Sequence, residues 1–162
     1  MSWAQKYAPS SLSELTLNRK GVREILKWIS SFYEYKKKRK KTSKKTKDAS
    51  APKSCLLILG NHGIGKTKSV SIVAKGKGLT LKELRFGHTK ITLDPPQLVQ
   101  ALLRSRNLFH RTSKKEKILV MVDNLSSISS TLDKSKIRGL VKLNKVEYNF
   151  PIILIANKLH SK

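Results

Sequence analysis

Three short runs in the chain are apolar without interruption: Ser54–Leu59, Ile118–Val122 and Pro151–Ala156. Runs of five or six such residues, bounded by polar segments, predict strands buried on both faces. Each is expected to lie inside a sheet, and the first reads as a central strand. A weaker strand is predicted over 79–84, where Leu79, Leu81 and Leu84 are spaced by polar residues.

Between these runs the period lengthens to that of a helix. Val22, Ile25, Leu26, Ile29 and Phe32 recur on one face over 21–35, with Trp28 near its edge. A second helix is predicted over 66–75, with Val70, Val73 and Ala74 inward and Gly76 and Gly78 ending it. Asp94-Pro95-Pro96 starts a third, Asp94 as cap and Pro95 at the first helical position, with Leu98, Ala101 and Leu102 inward. A fourth spans 134–145, with Ile137, Leu140, Val141 and Asn144 in register and Asp133 as its cap. Residues 1–18 read as an irregular arm anchored by Trp3, Tyr7 and Leu12. Strands alternating with helices predict an α/β fold, a parallel sheet covered on both faces in three layers. A chain of 162 residues forms one such domain and buries roughly 70% of its unfolded surface.

Charge changes this picture in one place. Nine of the twelve residues over 36–47 are basic, so the first helix is expected to dissolve there into a mobile loop through about residue 53. The excess is global too, with 35 basic against 10 acidic residues and a net charge of +25. Such a field favours nucleic acid as partner, although the run also reads as a solvated linker or import signal. With two Trp, four Tyr and four Phe, base stacking is a poor basis for binding, and DNA phosphate contact is the expected mode. One cysteine, Cys55, excludes an internal disulfide and suits a reducing compartment. The absence of a long apolar run or a leader-like N-terminus leads us to expect an intracellular protein without a membrane partner. That means the nucleus if the source is eukaryotic, and otherwise the cytoplasm or a viral replication site.

The chemistry is concentrated in Gly60-Asn61-His62-Gly63-Ile64-Gly65-Lys66-Thr67, a full G-x-x-x-x-G-K-[ST] phosphate-binding loop, followed by Lys68. Its glycines let successive N–H groups turn toward a phosphate, and Lys66 sets a cation by the terminal phosphates of ATP. Thr67 supplies a hydroxyl for Mg²⁺. The helix behind adds the positive end of its dipole. The loop follows a strand and opens a helix, the context this mechanism requires. His62 on its own reads as an exposed loop tip.

Asp123 ends the second apolar strand, where a carboxylate at the sheet edge holds the metal through water, the Walker B role. Asn124 comes next, where a catalytic Glu is usual. An amide orients water without taking its proton, and loss of a general base costs about 10²–10⁴-fold in rate. Asn157 ends the third apolar strand, where it either touches the terminal phosphate or its water, or merely caps the strand.

Together these residues resemble the large-subunit branch of the replication factor C clamp loaders, including the checkpoint loader's related large subunit. Trp3-Ala-Gln-Lys6-Tyr7-Ala-Pro9 is similar to that family's W-x-x-K-Y-x-P opening, and Glu14, Leu15 and Asn18 fit the family's next few positions. The resemblance implies an AAA+ nucleotide-binding domain, an arm over 1–20 with Tyr7 and Pro9 beside the adenine, and a domain over 21–162 with a Lys-rich insertion at 36–53. It implies Walker A at Gly60–Thr67, Walker B at Asp123 and sensor 1 at Asn157. The partners it implies are primer–template DNA, a sliding clamp and further loader subunits, in DNA replication or repair. Asn61 and His62 stand where the family has prolines, and Asn124 where it has Glu. Residues 1–162 stop before the family's arginine finger, sensor 2, helical lid and collar, so a partial AAA+ domain lacking lid and collar is expected. The alternatives are a basic DNA-binding or scaffold protein with a vestigial loop, and a small P-loop kinase. The kinase reading is disfavoured, because this sequence has no substrate-binding segment with arginines placed for a second phosphate.

Overall fold

The computed structural model describes residues 6–14, 19–41, 51–86, 92–104 and 117–157. Trp3, Leu15, Asn18 and the part of the lysine run beyond Lys41 lie outside them. In chain order the elements are α1 (Arg19–Lys41), β1 (Cys55–Leu59), α2 (Lys66–Gly76), β2 (Thr80–Arg85) and α3 (Pro95–Arg104). They continue with β3 (Ile118–Asp123), a 3₁₀ turn (Leu125–Ser127), α4 (Thr131–Glu147) and β4 (Ile152–Ala156).

The four strands form one parallel sheet in the order β1-β4-β3-β2. Strand alternation sends the residues of β3 to two separate cores. Leu119 and Met121, with Ile153 and Ile155 of β4, meet Val22, Ile25 and Ile29 of α1 and Val70, Val73 and Ala74 of α2. On the opposite face Val120, Val122 and Ile152 meet Leu98, Val99 and Leu102 of α3 and Ile137 and Leu140 of α4. This is the predicted three-layer α/β sandwich. β3 is buried at every position before Asp123, which fits an interior strand.

β1 departs from expectation. Among the described residues it is an edge strand, paired on one side with β4, and Leu57 and Leu59 are 40% and 47% exposed. A continuous apolar run says that a strand is covered somewhere, not on which side its neighbours lie.

The first helix is also longer than expected. It runs to Lys41, so the first half of the lysine run is helical rather than loop. Lys and Arg are good helix formers, and tertiary contacts hold this end down. The Lys36 ammonium donates to the Asn149 carbonyl, and the Arg39 guanidinium lies 5.3 Å from the Tyr148 ring centre. Phe32, fully buried, stacks on Tyr148 at 5.6 Å and meets Tyr33 edge-on at 5.6 Å. The Tyr33 hydroxyl donates to the Ile118 carbonyl at 2.6 Å, tying α1 to the start of β3, and burial pushes its pKa well up.

α4 begins at Thr131, three residues before the predicted start. Ser130 is its cap, accepting from the Asp133 N–H at 3.3 Å, and Asp133 sits in the first turn. The helix ends where Tyr148 turns left-handed (φ 53°). Asn144, read as inward from its spacing, is fully buried. Its amide donates to the Phe150 carbonyl at 2.6 Å and accepts from the N–H groups of Asn149 and Phe150 at 3.1 and 3.2 Å. That clamp sets the turn feeding β4, and β4 leads directly into Asn157.

Candidate functional site

Gly60 leaves β1 at the carboxyl edge of the sheet, and the loop turns back into α2. Gly63 (φ 78°) and Gly65 (φ 81°) hold left-handed backbone, a conformation that L side chains rarely adopt. The turn therefore depends on glycine at these positions. Helix bonding starts at once, with the Ser69 N–H on the Gly65 carbonyl at 2.8 Å.

Lys66 and Thr67 open α2 on the side facing the ends of β3 and β4. The Lys66 ammonium donates to the carbonyls of Gly60 (2.9 Å) and Asn61 (2.7 Å) and to Asn157 Oδ1 (3.0 Å). The Thr67 hydroxyl donates to Asp123 Oδ2 at 2.8 Å, while the other carboxylate oxygen accepts from the Asn124 N–H at 2.7 Å. The loop and the ends of two strands thus meet at one place. A cation, a hydroxyl and a carboxylate are held there by partners more than fifty residues away in sequence.

Asn157 is the hub of this arrangement. Its Oδ1 faces Lys66, its Nδ2 lies 3.2 Å from His62 Nδ1, and its N–H donates to the Ser126 hydroxyl at 2.8 Å. His62, read from sequence as a bare loop tip, therefore touches the strand-end asparagine. Asn124 is exposed, in left-handed backbone (φ 57°, ψ 42°), and its carbonyl accepts from the Ser127 N–H and hydroxyl at 3.0 and 2.8 Å. Asn tolerates this conformation better than most residues. Gly63, Ile64 and Lys68 are exposed beside the mouth of the loop.

Sequence reasoning missed Ser126, which positions Asn157, and Arg85. Two serines after a strand-ending Asp-Asn were a turn signal. Arg85 ends β2 in register with Asp123 and is paired to Glu83 at 2.8 Å. The Glu83 hydrogen bond raises its pKa further, and Asp123 adds to the shift.

The arm residues stand apart. Leu12 packs over Gly76, at the end of α2 remote from the loop, and the Tyr7 ring is 66% exposed with the Lys6 ammonium 5.7 Å from its centre. Pro9 is half-buried.

The donor set suits Mg²⁺. Thr67 and Asp123 offer hard oxygen atoms already in contact. Among the described residues no group of three His, Cys, Asp or Glu side chains forms a cage. A small cation that keeps its waters and shares phosphate oxygens needs only one or two protein ligands.

A parallel sheet between helices, with a glycine loop leading from its first strand into a helix and an aspartate closing β3, one strand removed across β4, defines a P-loop NTPase module. Its fold is similar to that of PCH-2 from C. elegans, with TM-score 0.54 and 14% identity over 94% of this chain and 40% of that one. Residues 1–101 match the Rad17 P-loop domain, and the chain belongs to that family.

The whole chain is similar to a putative replication factor C large subunit of Acanthamoeba polyphaga mimivirus, 27% identical over 100% of this chain and 31% of the relative. The replication factor C large subunit of Methanococcus aeolicus is 28% identical over 99% of this chain and 29% of its own length. Replication factor C subunit 1 of Schizosaccharomyces pombe is 27% identical over 99% and 18%. The chain thus spans less than a third of the length of these relatives.

Proposed function

We propose that this chain is the nucleotide-binding part of a clamp-loader large subunit. On this reading it binds Mg²⁺·ATP, turns it over slowly, and acts with further subunits to place a sliding clamp on primer–template DNA in replication or repair. The observation that carries the reading is the convergence of Lys66, Thr67, Asp123 and Asn157 at the mouth of the glycine loop. Similarity to replication factor C large subunits over the full chain supports the clamp-loader part.

Each residue has a definite task in this reading. The N–H groups of Gly63–Thr67 bind the phosphates. Lys66, now bonded to Asn157 Oδ1, transfers that contact to a terminal phosphate and releases the amide to orient water. Thr67 and Asp123 hold Mg²⁺, which supplies charge neutralisation on the phosphate oxygens. Tyr7 and Pro9 border the base, which requires the arm to approach the loop from its place at the far end of α2. Residues 1–20 then act as an arm on the domain formed by 21–162. Asn124 lacks a lone pair basic enough to take a proton from water, so binding outlasts hydrolysis.

Titration of a fluorescent ATP analogue into wild type and Lys66→Ala tests this. We expect micromolar binding by the wild type, weakened at least tenfold in the variant. Equal affinity would remove the phosphate-loop assignment and leave a basic scaffold with a vestigial loop.

A further inference from the structure

α1 is more charged than its packing requires. Of its 23 residues ten are basic and two, Glu24 and Glu34, acidic. Lys20, Arg23, Lys27, Ser31, Glu34 and Lys38 follow one another at intervals of three or four and share one face. That face is opposite Val22, Ile25, Ile29 and Phe32, which are buried. The helical path through Lys38 makes this row a fixed surface rather than a tether.

Midway along the row a shallow groove, open to solvent, lies between α1 and the end of α2, lined by Leu26, Lys27, Ser30, Ser31 and Lys77. Lys77 reaches across it to the Ser30 hydroxyl at 3.3 Å, and the Ser31 hydroxyl donates to the Lys27 carbonyl at 3.0 Å. Two lysines and two serines thus line one open depression, remote from the phosphate loop because Lys77 caps the opposite end of α2.

We propose that this face of α1, with the Lys27–Lys77 groove at its centre, binds the sugar–phosphate backbone of duplex DNA, one phosphate seated in the groove. Length fits duplex: the row from Lys20 to Lys38 spans about 27 Å at 1.5 Å per residue, most of one helical turn of DNA. The row holds no aromatic side chain on which single-stranded bases would stack. A lipid surface fits less well, because a membrane-lying helix needs its apolar face outward and this one is spent on the core. The proposal rests on the DNA-facing half of the function above and is independent of the nucleotide half.

The test is fluorescence anisotropy of a labelled 20-base-pair duplex with the 162-residue chain over a series of salt concentrations. Each phosphate contact contributes about 0.9 to the slope of log affinity against log salt. Lys27→Ala with Lys77→Ala is expected to reduce the slope by about two and the affinity about tenfold. Glu34→Lys is expected to tighten binding. Lys142→Ala with Lys145→Ala, exposed on α4 across the sheet, controls for bulk charge and should change little. An unchanged slope in the groove variant, an equal loss in the α4 variant, or no duplex binding by wild type would each overturn the proposal. So would stronger binding to phosphatidylserine vesicles or polyglutamate than to the duplex. ATP-analogue affinity, measured on the same samples, shows that the variants are folded. Its loss in wild type would count against the nucleotide reading alone.

Discussion

Asn144→Ala offers a quantitative test of how β4 is positioned. The native amide is fully buried and makes three hydrogen bonds, to the Asn149 N–H, the Phe150 N–H and the Phe150 carbonyl. Each is worth about 0.5–1.5 kcal/mol net, and a buried group left unpaired costs about 1–3 kcal/mol. Phe150 is itself fully buried, so its N–H and carbonyl have no access to water. The sum is about 3–4 kcal/mol, a large part of the 5–15 kcal/mol typical of a domain, and a fall of about 10 °C in melting temperature. Urea unfolding followed by circular dichroism measures it. Asn144→Asp keeps an acceptor for both N–H groups but sets a carboxylate against the Phe150 carbonyl. Burial raises the pKa of such a carboxyl, so the aspartate variant should gain stability relative to wild type as pH falls and the acid protonates. A loss below about 1 kcal/mol for the alanine variant would refute the clamp.

Other substitutions address the chemistry. Thr67→Ala and Asp123→Asn should leave metal-free ATP-analogue binding within about threefold of wild type and abolish its enhancement by Mg²⁺, read by titration with and without EDTA. Asn124→Glu should raise phosphate release about 10²-fold if the missing base limits turnover, at a stability cost of about 1 kcal/mol for Glu in left-handed backbone; unchanged release would contradict that account. Burial pushes the Cys55 thiol up to about 11 from an ordinary 9.0. Native protein should therefore react slowly with a thiol reagent at pH 8 and rapidly in urea. A neutral thiol favoured in the fold means stability intact below pH 9 and declining between pH 9 and 11, measured by unfolding at each pH.

The phosphate loop was legible because its chemistry is local: eight adjacent residues carry the glycines, the lysine and the hydroxyl. The layer order was legible from periodicity, and even the inward side chain of Asn144 followed from helical spacing. The features that escaped depended on contacts between distant segments. Whether β1 is central or at an edge depends on which strands flank it, and five apolar residues do not say. The helix was expected to fail at Lys36 because like charges repel. It persists because Tyr148 and Asn149 come from elsewhere to meet it, Tyr148 itself held by its hydroxyl donating to the Pro52 carbonyl at 3.0 Å. Asp133 looked like the cap of α4, yet Ser130 has the shorter side chain at the position where the N–H groups converge. His62 and Ser126 acquire partners only once Asn157 is brought beside them.

The claim on which the rest depends is that the loop opens onto a triphosphate. The direct measurement is a crystal structure of the chain grown with Mg²⁺ and a non-hydrolysable ATP analogue. We predict phosphate density along the amides of Gly63–Thr67, a metal held by the Thr67 hydroxyl and, through water, by Asp123, and the Lys66 ammonium moved from Asn157 Oδ1 to a phosphate oxygen. Density absent from the loop, with Lys66 still on Asn157 at about 3.0 Å, would contradict it.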